Sequence, residues 1–197
     1  LISTRLGAFL TDDSYHYIKP ARDFLAGLGF TPSTIFPPML PIALIPLGWL
    51  GIEPLQGIRL LNAALFGINT ILAALLVLRL GGSRSFALLA AFLVALSENL
   101  IAVHAGGMSE ALAISLSLGS MLLVLKYLDQ RRWFWLLSSA AFIGLALVTR
   151  FAALPVLAAV ALTLLVARYT TTWLHLLRDI ALLTLVSLTP LGMYMLR

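Results

Sequence analysis

Between Leu55 and Leu196 the chain is a succession of long apolar runs joined by short links that carry Arg and Lys. In hydrocarbon every backbone N–H and C=O must be paired inside the protein, and a helix does this within one segment. A span takes about 20 apolar residues. The runs at 55–80, 85–104, 108–127 and 173–196 meet that length, and 133–149 and 152–167 read as two shorter crossings hinged at Arg150 and Phe151. The expected fold is therefore all-α: a polytopic transmembrane helical bundle forming a single membrane domain over 1–197, with an outer loop at 11–54 and six crossings in 55–197.

Composition agrees. At 61% hydrophobic and 11% charged residues, the chain is far from a soluble domain, which runs near 45–50% apolar and about a quarter charged. Its net charge of +5 does not point to nucleic acid, because the thirteen Lys and Arg are scattered between apolar blocks rather than gathered on one face. The absence of cysteine excludes disulfides and thiolate metal sites, and the three His have no metal-ligand spacing. Small residues at Ala73, Ala74, Ala90, Ala91, Gly119, Ala140, Ala141 and Gly144 suit close helix packing.

Charge orients the bundle. Arg79 with Arg84, then Lys126, Arg131 and Arg132, then Arg168 and Arg178 mark alternate links, which the positive-inside rule makes cytoplasmic. By parity the 12–53 segment, the 99–109 link, Arg150 and Arg197 lie on the outer face. Glu98 agrees, since fourteen helical residues beyond Arg84 rise about 21 Å. Trp133 and Trp135 beside Arg131 and Arg132 read as an aromatic belt. The opening apolar stub, Leu1 to Leu10, is too short to span, so the chain reads as an excerpt of a longer one; no cleavable signal peptide is visible.

Polar chemistry concentrates in residues 10–30, which hold three of the eight carboxylates, Asp12, Asp13 and Asp23. Ionisable groups at the membrane boundary are costly unless useful. The pattern Tyr17, Ala21, Phe24 or Leu25, Leu28 predicts an interfacial amphipathic helix starting near Lys19, with Pro20 in its first turn and Gly27 and Gly29 ending it. Pro37, Pro38, Pro41 and Pro46 make 35–50 a short surface helix rather than a span.

The order of these features resembles the GT-C polytopic glycosyltransferases, a group that includes protein O-mannosyltransferases and aminoarabinose lipid A transferases. The matching residues are Asp12, Asp13, Tyr15, Tyr17, Ala21 and Arg22; Pro37, Pro38 and Pro41; Arg59 to Asn62; Ser109 and Glu110; and Thr149 and Arg150. Tyr15 and Phe36 stand where the aminoarabinose branch has basic residues, and Glu98 follows Ser97 where many relatives have Pro.

The resemblance implies an inverting transfer of a sugar from a polyprenyl-phosphate donor to an extracytoplasmic acceptor, in the plasma (inner) membrane. Asp12 is the expected base, with Asp13 the alternative. A carboxylate beside the acceptor hydroxyl takes its proton during attack. The lipid phosphate leaves as an anion once basic groups balance its charge; Arg150, at the hinge of two short crossings, is the best candidate, ahead of Lys19, Arg22 and Arg59. Glu110, Ser109 and His104 are supporting residues on the same face. Plain structural roles stand beside these: an N-cap Asp, a first-turn acid at Glu110, a snorkelling Arg150 and an interfacial His104. No cofactor follows from the resemblance beyond the lipid-linked donor; a divalent metal is compatible but not indicated. Expected partners are membrane lipids, the polyprenyl-phosphate sugar and other membrane proteins. The alternative function is a non-catalytic subunit of this fold packed into a larger membrane complex.

Overall fold

A computed structural model describes residues 8–33, 35–167 and 172–196. Their order is α1 (Asp12–Leu25), α2 (Met39–Trp49), α3 (Pro54–Arg79), α4 (Arg84–Leu96), α5 (Glu98–Ala105), α6 (Glu110–Gln130), α7 (Trp133–Leu147), a 3-10 turn (Phe151–Ala153), α8 (Leu154–Val166) and α9 (Trp173–Met195). The protein is thus an all-α polytopic membrane protein. Among the described residues α3, α6 and α9 are long and apolar enough to cross a membrane alone. The orientation markers Arg168 and Arg197 lie outside the described residues, as does most of the 1–10 stub.

Two elements differ from the sequence expectation. The run at 85–104 is not one straight helix: α4 and α5 meet at a 57° bend. Ser97 makes the break by capping the second piece, its Oγ accepting from Leu100 N at 3.4 Å. The first surface helix starts at Asp12 and not near Lys19, with Pro20 inside it. Thr11 and Ser14 nucleate the earlier start. Thr11 N donates to Ser14 Oγ at 3.0 Å and Ser14 N to Thr11 O at 3.0 Å, while Asp12 and Asp13 occupy the favourable first turn. These local contacts outweigh the one backbone hydrogen bond that Pro20 removes.

In the bundle, α6, α7, α8 and α9 share a core around Leu136, Ile143, Leu147, Val160 and Leu183. Between apolar helices in lipid the hydrophobic effect contributes little, so close backbone approach and buried hydrogen bonds matter more. A Cβ on Gly144 would sit 2.9 Å from Ser187 O, so only glycine lets α7 meet α9 there. Ser187 Oγ donates to Ala140 O at 3.1 Å and Ser139 Oγ to Ser120 O at 2.8 Å, tying α9 to α7 and α7 to α6.

The elements end in two opposite layers. In one layer Arg79 pairs with Asp129 at 2.8 Å, Lys126 lies 3.6 Å over the Trp135 ring, and Arg178 lies 4.3 Å over Trp133. Arg178 also donates to buried Asp179, which accepts from Tyr127 as well. In the other layer α1 and α2 roof the start of α3 through Tyr17, Ala21, Leu40, Leu44 and Ile58. Tyr194, at the far end of α9, donates to Ser33 O there at 2.8 Å. The 26 residues of α3 separate the layers by about 39 Å, enough for a bilayer core of about 30 Å.

Because the chain has no cysteine, this layering is directly measurable. Single Gln56→Cys and Gln130→Cys variants, both at exposed positions, should react with a membrane-impermeant maleimide from opposite sides of a sealed vesicle. Labelling of both from one side would remove the two-layer topology.

Candidate active site

The site assembles where three chain breaks meet in the roofed layer: the start of α1, the α5–α6 turn and the α7–α8 hinge. Phe9 bridges to the turn, its N–H donating to Ala105 O at 3.0 Å while its carbonyl accepts from Gly107 N at 2.8 Å. A Cβ on Gly107 would stand 3.0 Å from Ser14 Oγ, so the missing side chain lets α1 lie against the turn. Asn62, fully buried on α3, donates to Gly106 O at 2.7 Å and to Met108 O at 3.4 Å. Seven residues on, Asn69 occupies the same helix face. Its Nδ2 donates to Ala111 O at 3.1 Å and lies 2.9 Å from His104 Nε2, and its Oδ1 accepts from Ser115 Oγ at 2.5 Å. His104 Nδ1 lies 2.7 Å from Leu100 O, so in the neutral ring Nδ1 donates and Nε2 accepts from Asn69. His104 is thereby a structural tie between α5 and α3.

These ties set the position of Ser109 and Glu110. Ser109 Oγ donates to the Tyr17 hydroxyl at 3.1 Å. Glu110 Oε1 accepts an ion pair from Arg150 Nη1 at 2.7 Å, while Oε2 is buried and has no partner among the described residues. Arg150 is held by its backbone, because its N–H donates to Ala146 O at 2.8 Å and the preceding Thr149 hydroxyl caps Leu145 O at 2.6 Å. Burial raises the pKa of the Tyr17 phenol; the Ser109 hydrogen bond and Arg150 oppose the rise, and Glu110 and Asp13 add to it. Tyr17, Arg150, Glu110 and Asp13 therefore share one electrostatic neighbourhood.

Below the Glu110–Arg150 pair an open-sided groove of about 320 Å³ runs between α6 and α8. Its wall is almost wholly apolar, formed by Ala113, Ile114 and Met121 on one side and Ala153 and Val156 on the other. From Glu110 to Met121 it follows α6 for about 17 Å toward the membrane centre.

The other sequence candidates sit elsewhere. Asp12 is exposed on the side of α1 that carries Tyr15, His16 and Lys19, whereas Asp13 is partly buried. Lys19 pairs with Asp23, whose hydrogen bond raises the lysine pKa. Arg22 Nε donates to Glu53 Oε1 at 2.6 Å, and Arg59 Nη1 donates to Gln56 Oε1 at 3.2 Å. None of these three basic residues lines the groove. Among the described residues no three His, Cys, Asp or Glu side chains gather as metal ligands. Asn69 and Ser115 escaped the sequence reading; an amide seven residues after Asn62 inside an apolar run was the available signal.

A family model described as dolichyl-phosphate-mannose-protein mannosyltransferase matches residues 37–193. Neither the curated proteins nor the solved structures include a match to the chain.

Truncating Asn69 leaves His104 Nε2 without its donor and takes one partner each from Ser115 and Ala111. Asn69→Ala should therefore cost about 1–2 kcal/mol in a reversible unfolding titration in mixed micelles. Thr70→Ala, which deletes only a hydroxyl bonded to Phe66 O in its own helix, should leave the midpoint unchanged.

Proposed function

The chain belongs to the dolichyl-phosphate-mannose-protein mannosyltransferase family, which makes it a membrane glycosyltransferase of GT-C type, and from that premise we propose that it moves a sugar from a polyprenyl-phosphate donor to an extracytoplasmic acceptor with inversion. The observation that carries this reading is the Glu110–Arg150 pair at the mouth of the apolar groove. A lipid-linked donor needs this junction. Its hydrocarbon tail occupies an apolar channel open to the bilayer, and its phosphate stops at a cation near the polar boundary.

Arg150 suits the phosphate because a guanidinium presents paired donors to two oxygens, and Glu110 uses Nη1 of that fork. The ion pair holds the guanidinium in place before donor arrives. The base is the acidic pair at the head of α1. Asp13 is the better of the two, because it lies one helical turn before Tyr17, whose hydroxyl accepts from Ser109 beside Glu110, while Asp12 lies on the exposed side. Asp13 takes the acceptor hydroxyl proton as the oxygen attacks the anomeric carbon opposite the phosphate. The bond between the anomeric carbon and the phosphate oxygen breaks, its electron pair stays on that oxygen, and polyprenyl phosphate leaves with its added negative charge facing Arg150. No second acid is required, since the leaving oxygen needs charge balance rather than a proton.

Two variants test the assignment in purified protein supplied with a polyprenyl-phosphate sugar. Arg150→Ala should raise donor KM about ten- to hundredfold, the loss of one charge-assisted contact worth about 1.5–3 kcal/mol, and Arg150→Lys should recover part of it. Asp13→Asn should lower kcat by about 10²–10⁴ with donor binding intact. Unchanged donor binding in Arg150→Ala together with no transfer by the unaltered protein would favour the non-catalytic subunit.

A further inference from the structure

On the side of α1 turned away from the Tyr17 cluster lies a second cavity, of about 260 Å³, lined by Tyr15, His16, Lys19, Pro20, Thr31 and Ser33. The reaction described above uses none of these residues. Asp13 precedes His16 by three residues and Tyr17 by four, which places the base between the Tyr17 cluster and the cavity's aromatic end, with Cβ atoms about 5–6 Å apart.

The lining has a definite chemistry. Tyr15 is 60% exposed and meets the edge of His16 at 5.7 Å between ring centroids. His16 is itself stacked on Phe36 at 4.7 Å, so this aromatic wall is rigid. Ser33 Oγ accepts from Ile35 N at 3.2 Å and Phe36 N at 3.4 Å, which leaves its O–H as a donor. Ser33 is also anchored through its carbonyl, which accepts from Tyr194 of α9. Thr31 supplies another hydroxyl. Lys19 brings two further N–H donors, but its charge is matched by Asp23 four residues on.

A phosphate or carboxylate would meet the exposed Asp12 carboxylate on the same helix face, and the lining lysine is already paired. A peptide strand would find no extended groove, since the volume falls below the roughly 300–1,000 Å³ of drug-sized sites. The match is a neutral pyranose: one ring in size, with a C–H face for the Tyr15 ring and hydroxyls for the Ser33, Thr31 and Lys19 donors. We propose that this cavity is the acceptor subsite and that it takes a neutral saccharide, presenting a hydroxyl to the acidic head of α1. The inference rests on the transferase reading and adds the acceptor class to it. Donor and acceptor then approach the first turn of α1 from two sides: the donor from the groove beside Arg150, the acceptor from the Tyr15 face.

The test is ligand-observed saturation-transfer NMR on the protein in nanodiscs free of glycoside detergent, with methyl glucoside, methyl galactoside and methyl mannoside as probes. At least one should receive saturation at its ring C–H protons. Tyr15→Ala should weaken binding about fivefold, in line with loss of one aromatic contact. Tyr15→Phe should retain it, and neither a Ser/Thr peptide nor inorganic phosphate should displace the probe. No saturation of any of the three, equal saturation in Tyr15→Ala, or displacement by the peptide would overturn the subsite. The donor measurement separates this from the parent reading: a donor KM dependent on Arg150 with no saccharide at Tyr15 sinks the subsite alone, whereas a donor KM indifferent to Arg150 sinks the transferase assignment.

Discussion

A chain that leaves its helix near hydrocarbon must find partners for the backbone groups it exposes, and the 105–111 turn meets this demand with three separate parts of the protein. Phe9 supplies a donor and an acceptor, Asn62 supplies donors for two carbonyls, and Asn69 holds the first turn of α6. An unpaired carbonyl in such a place costs several kcal/mol, so these contacts are close to obligatory. They bring Ser14 and Tyr17 of α1 against Gly107 and Ser109, although about ninety residues separate them in sequence. The roof formed by α1 and α2 and the bundle formed by α6 to α9 are joined through this turn.

The second organising feature is where charge is paired. Lys19, Arg22 and Arg79 each meet a carboxylate in largely exposed positions, where an ion pair contributes between nothing and about 1 kcal/mol. Their value is geometric: Arg22 and Glu53 pin α1 to the start of α3, and Glu53 also caps α3 by accepting from Leu55 N at 2.7 Å. The Glu110–Arg150 pair differs because it stands at the rim of an apolar groove and its carboxylate is only 21% exposed, with one buried oxygen that has no partner among the described residues. In the proposed reaction that combination of a prepared cation and an adjoining hydrocarbon channel is what holds the donor.

Sequence patterning singled out Asp12 and Asp13, the Ser109–Glu110 helix start and the Thr149–Arg150 hinge, because each interrupts an apolar run and polar residues there are conspicuous. It misplaced the start of α1, since Pro20 is an audible break while the Thr11–Ser14 capping contact is an ordinary pair of hydroxyl residues. It ran α4 and α5 together because hydropathy does not register a bend; Ser97 matters through one hydrogen bond to Leu100 N. Among four basic candidates for phosphate, sequence ranked Arg150 first from its place in a hinge, but it could not show their partners Asp23, Glu53, Gln56 and Glu110, which lie at separations from three to forty residues.

Sequence by itself determined that this is a helical membrane protein, because apolar runs of membrane length admit few other ways to pair a backbone in hydrocarbon. Its motifs in order also indicated the transferase superfamily. Only the tertiary structure decided which polar groups meet: that Asn62 and Asn69 hold the site turn, that Asp12 and Asp13 face different surroundings, and that Arg150 heads a groove while Lys19 borders a separate cavity. The reason is that helix formation in lipid is a local consequence of composition, whereas side-chain meetings depend on how helices rotate and cross. That depends in turn on small contacts such as Gly144 against Ser187 and Gly107 against Ser14, which join residues remote in the chain.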